Sequence, residues 1–182
     1  MNSPRVFIIV LNWNGWENTI ECLESLQQVD YSNYQMVVID NGSTDNSIEK
    51  MVEWAEGKIP VNTKFVTYCP ELKPVDYVIY TQIVAEAGGN ENEYKLYNLP
   101  STRRIVFIQT AKNHGYAEGN NIGIRYALKK NTDFIFILNN DTVVDKNILT
   151  EFLLAYKNLG PACYGAKVYY YSHPERIQFS GV

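Results

Sequence analysis

Short apolar runs alternate along the chain with segments in which apolar residues recur every three to four positions. The first pattern predicts strands buried on both faces, and the second predicts amphipathic helices. The predicted strands cover residues 6–11, 36–39, 105–108, 134–138 and 163–170. The helical patterns start near Trp16, Ser43, Ala117 and Asp145. This order predicts an α/β fold with a doubly wound, mainly parallel sheet and helices on both of its faces.

One segment, from about residue 57 to residue 102, breaks this alternation. It carries four prolines and the polar stretch at residues 88–93. Within it, residues 64–68 and 77–80 have the character of short strands, and residues 83–87 that of a helical turn. Because a structureless loop of this length is unusual in a compact domain, we expect an inserted hairpin that projects from the sheet.

Length and composition are those of one soluble globular domain. The 182 residues are 46% hydrophobic and 20% charged, and the net charge of −4 without a basic stripe argues against a nucleic-acid partner. Three widely spaced cysteines predict neither a disulfide framework nor a zinc site, which favours a reduced, cytoplasmic compartment. Residues 6–11 are too few to span a membrane, whereas peripheral association with a membrane stays open.

Polar clusters follow four of the predicted strands. They occupy residues 12–14, 40–42, 112–115 and 139–141. Each cluster alone is explained by an ordinary strand-to-helix turn. The carboxyl ends of parallel strands lie at one edge of a sheet, however, so four such clusters should converge where open α/β sheets bind their ligands.

The chemistry of the clusters favours a nucleotide carrying a metal ion. In Asn139-Asn140-Asp141, one carboxylate and two amides offer oxygen ligands for a divalent cation and hydrogen bonds for a ribose. Asp40 can accept a hydrogen bond from a base or a ribose. Gly115 and Asn120, near the start of a helix, are suited to contact a phosphate or a nucleoside. Tyr116 either flanks the nucleotide or packs against other side chains of the protein. For Gly123 we favour tight packing of helix on sheet.

The segments at residues 12–15, 37–45, 115–123 and 138–142 together resemble family 2 glycosyltransferases with the GT-A fold, and most of all their rhamnosyltransferase-like branch. The resemblance implies a hexosyltransferase that moves a sugar, with inversion, from a nucleoside-diphosphate donor such as dTDP-rhamnose. The acceptor would be a saccharide or a lipid-linked saccharide in cell-surface polysaccharide synthesis. The enzyme would then be cytoplasmic, with possible peripheral attachment to the inner face of the plasma membrane.

Site residues follow from the resemblance position by position. The implied nucleotide-sugar site comprises Asn12, Asp40, Gly115, Asn120, Asn139 and Asn140, with Asp141 as the ligand of Mg²⁺ or Mn²⁺. Asp40 would contact the base. Asn139 stands where the family has an acid that contacts the ribose, and this amide lowers the negative charge of the site.

The general base that inversion requires has no candidate in the sequence, and the resemblance places it in a segment beyond Val182. We therefore expect residues 1–182 to form one donor-binding domain that needs further residues for activity. Two other functions stay open: a non-catalytic module that binds a nucleotide sugar, and a sugar nucleotidyltransferase. The second would need a glycine-rich, arginine-containing loop after the first strand, which residues 12–16 lack. A dinucleotide-binding dehydrogenase is disfavoured because the chain contains no GxGxxG pattern.

Overall fold

The computed structural model describes residues 3–180, which divide into two compact units, one ending at Lys146 and the other beginning at Asn147. The strands of the first unit are β1 (Val6–Asn12), β2 (Tyr34–Asp40), β3 (Asp76–Thr81), β4 (Arg104–Gln109) and β5 (Phe134–Asn139). Its helices are α1 (Trp16–Leu26), α2 (Ser47–Ala55), α3 (Gln82–Glu86) and α4 (Gly115–Leu128). The second unit contains α5 (Ile148–Leu159), β6 (Val168–Tyr169) and β7 (Ile177–Phe179).

The five strands of the first unit form a single sheet in the order β3-β4-β2-β1-β5, and every neighbouring pair is parallel. Strands β1, β2 and β4 lie inside this sheet, and their aliphatic residues are almost completely buried except for Leu11, which is partly buried. A parallel sheet needs cover on both faces, which explains why its central strands are continuous apolar runs. The predicted α/β fold is confirmed.

Helix α4 covers one face of this sheet at very short range. A Cβ atom built on Gly123 would lie 2.7 Å from side-chain atoms of Ile9 and Ile39, so only glycine permits this approach. The packing role predicted for Gly123 is therefore confirmed. Helix α1 packs on β1, and α2 packs on α1. Among the described residues, none of the helices combines the length and the apolar character that crossing a bilayer requires.

The predicted hairpin insertion is wrong. Residues 76–81 form β3, which pairs in parallel with β4 along six consecutive positions and so becomes the edge strand of the main sheet. Residues 64–68 are not a strand. The short helix predicted at residues 83–87 is confirmed as α3. The local sequence pattern predicted that residues 77–80 form a strand. It could not predict that this strand pairs with β4, because strand pairing depends on contacts between segments that are distant in sequence.

Two further strand predictions need correction. The run at residues 134–138 was expected to be buried on both faces, yet β5 lies at an edge of the described sheet and Ile137 is 44% exposed. Of residues 163–170, only Val168 and Tyr169 are extended, and they pair antiparallel with β7 in a separate two-stranded sheet. The parallel sheet of the described residues therefore has no strand from this region.

A buried ion pair attaches the first part of the insertion to α1. Lys73 Nζ lies 3.0 Å from Glu24 Oε2 and donates to Gln27 Oε1 at 2.6 Å. The ammonium group also lies 3.5 Å from the centre of the Trp54 ring, whose Nε1 donates to Glu24. Burial lowers the pKa of Lys73 to about 8, although Glu24 opposes the shift.

A second buried carboxylate attaches the later part of the insertion to α4. Glu93 lies in the 3-10 helix Glu91–Leu96 and accepts hydrogen bonds from Tyr126 Oη at 2.7 Å and from Lys130 Nζ at 2.6 Å. Tyr80 of β3 donates to the same carboxylate at 3.2 Å. Burial raises the pKa of Tyr80 to about 12, so this hydroxyl remains a donor at neutral pH.

We expect Glu93→Ala to lower the free energy of unfolding by about 3 kcal/mol, because it leaves the buried ammonium group of Lys130 without its partner. Urea denaturation followed by circular dichroism measures the change. Glu91→Ala, at an exposed position of the same 3-10 helix, is the matched control and should cost about 0.5 kcal/mol or less. Equal losses in the two variants would show that the buried cluster does not hold the insertion.

Candidate nucleotide-binding edge

The carboxyl ends of β1, β2 and β5 lie side by side. Asn12 is the register partner of Asp40 on the neighbouring strand, and Asn139 is the partner of Leu11 on the other side. Three of the predicted polar clusters therefore meet at one edge of the sheet. We call the ends of β1, β2 and β5, with the start of α4, the strand-end site.

Asn12 is the hub of the strand-end site. Its side chain is completely buried, and its Nδ2 donates to Asp40 Oδ1 at 2.9 Å and to Ser43 Oγ at 3.1 Å. Its Oδ1 accepts a hydrogen bond from Thr19 Oγ1 at 2.9 Å. Because every polar atom of this amide is hydrogen-bonded within the protein, Asn12 holds its neighbours in place. The predicted contact between Asn12 and a nucleotide stays a prediction.

Asp40, the last residue of β2, is the acidic residue of the strand-end site that lies next to β1. The residue is only 2% exposed, and burial raises the pKa of its carboxyl although hydrogen bonds from Ser43 and Asn12 act in the opposite direction. A raised pKa means that keeping this carboxylate charged costs the folded protein more than keeping an exposed aspartate charged. A ligand that donates hydrogen bonds to Asp40 relieves this cost.

Thr19 connects the two carboxylate-bearing segments. It lies in α1, is completely buried, and accepts a hydrogen bond from Asn140 Nδ2 at 3.0 Å while its own hydroxyl reaches Asn12. Asn140 Nδ2 also lies 3.3 Å from the carbonyl oxygen of Gly15. A continuous chain of polar contacts thus runs from Asp40 through Asn12 and Thr19 to Asn140. Sequence reasoning missed Thr19, because nothing local marks one threonine of an amphipathic helix.

Asn139 is held from the other side by α4. Tyr116 Oη donates to Asn139 Oδ1 at 2.9 Å, while the tyrosine ring stays 61% exposed. The backbone carbonyl of Tyr116 accepts from Asn120 Nδ2, also at 2.9 Å. Tyr116 therefore links the start of α4 to the end of β5.

Asn120 itself is nearly buried rather than presented at the surface. Its Oδ1 has no hydrogen-bond partner within the described part of the chain. Its clear structural task is to hold the first turn of α4 through the Tyr116 carbonyl. The predicted contact between Asn120 and a nucleotide stays a prediction.

Asn41 ties the end of β2 to the start of α4. Its Nδ2 donates to Asn113 Oδ1 at 3.0 Å and to the Gly115 carbonyl at 3.1 Å, and its Oδ1 accepts from the His114 backbone N–H at 3.0 Å. Gly115 has a φ of 76°, which favours glycine, and a Cβ there would have nothing within 4 Å. Open space at Gly115 leaves room for a ligand beside the helix start. Asn41 was not among the predicted site residues.

The loop after β2 differs in one respect from the prediction. The sequence pattern places the start of this helix near Ser43, but α2 begins at Ser47 with Asn46 at its cap position. Ser43 Oγ instead accepts hydrogen bonds from the side chain of Asn12 and from the backbone N–H of Asn14, the latter at 2.9 Å. Ser43 therefore belongs to the strand-end site.

Asp141 follows directly on this edge and is exposed. Within residues 3–180, no group of three or more His, Cys, Asp or Glu side chains is arranged to hold a metal ion. One exposed carboxylate still fits Mg²⁺ or Mn²⁺ in one mode of binding, in which a bound phosphate chain and water supply the remaining oxygens. The donor set is consistent with a metal that arrives with its nucleotide.

Comparisons with known proteins agree with this geometry. The family model described as "Glycosyl transferase family 2" matches residues 7–69 and 91–180. The low-salt glycan biosynthesis hexosyltransferase Agl10 of Haloferax volcanii is 36% identical over 63 residues, which are 34% of this chain and 20% of Agl10.

Solved structures of S. aureus TarS share the fold. Residues 1–349 of TarS in complex with UDP-GlcNAc superpose with a TM-score of 0.52 and 17% identity, covering 85% of this chain and 31% of that one. The TarS crystal structure that covers 91% of this chain gives the same TM-score of 0.52 at 15% identity, over 24% of its own length. The chain thus spans less than a third of the length of these relatives. With the family match extending over both sides of the insertion and through all four polar strand ends, the chain belongs to glycosyl transferase family 2.

Proposed function

We propose that the strand-end site binds the nucleoside diphosphate of a sugar donor, and that the chain is the donor-binding part of an inverting glycosyltransferase. The observation that carries this proposal is the polar chain from Asp40 through Asn12 and Thr19 to Asn140, which ends beside Asp141. At one end of this polar chain, the Asp40 carboxylate can accept a hydrogen bond from a base. At the other end, the Asp141 carboxylate can bind a metal ion.

The spacing of the strands suits a nucleotide lying along this edge. Asp40 and Asn139 are at the ends of β2 and β5, which flank β1, so two interstrand spacings of about 4.8 Å separate them. That span is similar to the one between a base edge and the ribose hydroxyls of a nucleoside. Asp40 would accept an N–H of the base, and Asn139 would contact the ribose.

Mg²⁺ or Mn²⁺ would be held by Asp141 together with diphosphate oxygens. The bound metal supplies charge neutralisation of the leaving diphosphate as the glycosidic bond breaks. Asn140 is oriented by its bonds to Thr19 and Gly15, so it keeps the backbone before Asp141 in place. We assign no general base among residues 3–180.

The finer points of the proposal rest on the relatives. Agl10, named as a hexosyltransferase of glycan biosynthesis, supports transfer of a hexose in the synthesis of a glycan. A saccharide or lipid-linked acceptor in cell-surface polysaccharide synthesis is part of the proposal because of the motif resemblance. TarS, which was solved with UDP and with UDP-GlcNAc, supports a nucleotide-sugar donor. dTDP-rhamnose remains our candidate donor because of the motif resemblance. We place the enzyme in the cytoplasm, with peripheral attachment to the plasma membrane as part of the proposal.

Isothermal titration with UDP, dTDP and GDP, each with and without Mn²⁺, tests the proposed function. We expect metal-dependent binding of at least one nucleotide, and a loss of about tenfold or more in affinity for Asp40→Ala, because a charged hydrogen bond to the base disappears. Asp76→Ala removes an exposed carboxylate from the opposite end of the sheet and is the matched control.

Two outcomes would contradict the proposal. If none of the three nucleotides binds, the strand-end site is not a nucleotide-binding site. Equal effects of the Asp40 and Asp76 replacements would show that the strand-end site is not where the base lies. Tight nucleotide binding by the complete protein without sugar transfer would instead favour the alternative, a non-catalytic module that binds a nucleotide sugar.

A further inference from the structure

Two adjacent amides, Asn139 and Asn140, are held by different helices. Asn139 is the register partner of Leu11 on the neighbouring strand, and paired residues of a sheet point to the same face. A Cβ built on Gly119 of α4 would lie 2.6 Å from the Leu11 side chain, so this face is the one that α4 covers. Asn140 is instead hydrogen-bonded to Thr19 of α1.

The helices hold opposite ends of the two amides. The Nδ2 of Asn140 donates to Thr19 Oγ1 at 3.0 Å and to the Gly15 carbonyl at 3.3 Å. Asn139 is held by its other end, because its Oδ1 accepts from Tyr116 Oη at 2.9 Å. Among residues 3–180, the Oδ1 of Asn140 and the Nδ2 of Asn139 have no hydrogen-bond partner. The pair therefore offers a ligand one acceptor and one donor.

Tyr116 is well placed to hold Asn139, although its ring is exposed. The backbone carbonyl of Tyr116 accepts from Asn120 Nδ2 at 2.9 Å, and the carbonyl of the preceding Gly115 accepts from Asn41 Nδ2 at 3.1 Å. These bonds fix the first turn of α4, which carries the tyrosine. A tyrosine side chain has two χ angles, so ordering it costs little conformational entropy.

We propose that Tyr116 is a positioning residue that holds Asn139 with Nδ2 towards the nucleotide, so that Asn139 donates a hydrogen bond to a ribose hydroxyl oxygen. This inference rests on the proposed function, in which Asn139 contacts the ribose. The acid that the family resemblance implies at this position could only accept hydrogen bonds. The amide of this chain reverses the polarity of the contact.

An amide needs such a partner because it can present either of its ends. Without the Tyr116 hydroxyl, rotation about the Cβ–Cγ bond of Asn139 exchanges the oxygen and the N–H₂ group. The N–H₂ end of an amide carries partial positive charge, so it suits an anionic nucleotide better than the oxygen end does. The hydroxyl of Tyr116 selects this favourable orientation by binding the oxygen.

Tyr116→Phe tests the inference by removing the hydroxyl and keeping the ring. Isothermal titration in the presence of Mn²⁺ uses whichever of UDP, dTDP and GDP binds the wild type most tightly. We expect the affinity to fall by about two- to tenfold, the range for losing one hydrogen bond between neutral groups. Tyr94→Phe removes an equally exposed hydroxyl from the 3-10 helix Glu91–Leu96 and should bind like the wild type.

A double-mutant cycle separates positioning from a structural role. In an Asn139→Ala background, Tyr116→Phe should cause no further loss of affinity, because the hydroxyl acts through the Asn139 amide. An equal loss in both backgrounds would overturn the inference, since Tyr116 would then act on the nucleotide or on α4 without Asn139. Melting curves of all variants show whether each remains folded.

The monophosphate of the same nucleoside tests the ribose contact. Tyr116→Phe should weaken monophosphate and diphosphate binding by the same factor, whereas a loss confined to the diphosphate would overturn the contact with the ribose. Wild-type binding that Tyr116→Phe leaves unchanged would overturn this inference and leave the proposed function standing. A wild-type chain that binds none of the three nucleotides would overturn both.

Discussion

Asp141→Ala should abolish the gain in nucleoside diphosphate affinity that Mn²⁺ provides, while metal-free binding becomes slightly tighter. The opposite signs follow from charge, because the carboxylate attracts the cation but repels the diphosphate. We expect the affinity measured with Mn²⁺ to fall by about tenfold or more, since even the loss of an outer-shell partner of a metal ligand costs about 10–100-fold in metal affinity. Titration of the nucleotide that binds most tightly, with and without Mn²⁺, measures both changes.

The matched control for Asp141→Ala is Glu17→Ala. Glu17 is an exposed acid in the first turn of α1, so its removal changes the net charge equally. This control should leave the Mn²⁺ effect intact. If Asp141→Ala keeps the full response to Mn²⁺, the metal is held elsewhere and the role proposed for Asp141 is wrong.

Gly42→Ala should destabilise the protein and disturb nucleotide binding together. Gly42 has a φ of 72°, and a Cβ built there would lie 2.4 Å from the backbone carbon of Lys112. Neither the strain nor the overlap can be relieved by rotating a flexible side chain, so the loops after β2 and β4 must separate. We expect a loss of about 3 kcal/mol in the free energy of unfolding, measured by urea denaturation.

Gly160→Ala separates the two causes of this loss. Gly160 has a φ of 87°, but a Cβ there would have nothing within 4 Å. It should therefore cost only the backbone strain, about 1–3 kcal/mol for this backbone conformation, and leave nucleotide affinity unchanged. If Gly42→Ala also leaves nucleotide affinity unchanged, the close approach of Gly42 to Lys112 does not shape the strand-end site.

Much of the site could be anticipated because its residues follow strands directly. Strand β1 and the polar Asn12 at its end are adjacent in sequence, and the same holds for β2 with Asp40 and β5 with Asn139. Local pattern identified each strand end, and the parallel arrangement then implied that the ends converge. The roles of these residues in binding stay predictions.

What could not be anticipated depends on contacts between distant segments. Thr19 joins Asn140, 121 positions away, and Asn41 holds the start of α4, 74 positions further along. The sequence predicted a projecting hairpin in place of β3, because residues 76–81 alone do not determine that this strand pairs with β4 or that it lies at the edge of the sheet. The exposure of Ile137 was missed for the same reason.

From the amino-acid sequence alone we could deduce the α/β class, the positions of the main strands and helices, and the polar residues that end the strands. These properties follow from hydrophobic period and turn chemistry, which act over a few residues. The folded structure was needed to establish the strand order, the hydrogen bonds that link Asp40 to Asn140, and the edge position of β3. Each of these depends on which distant segments become neighbours, and that choice is set by the packing of the whole sheet.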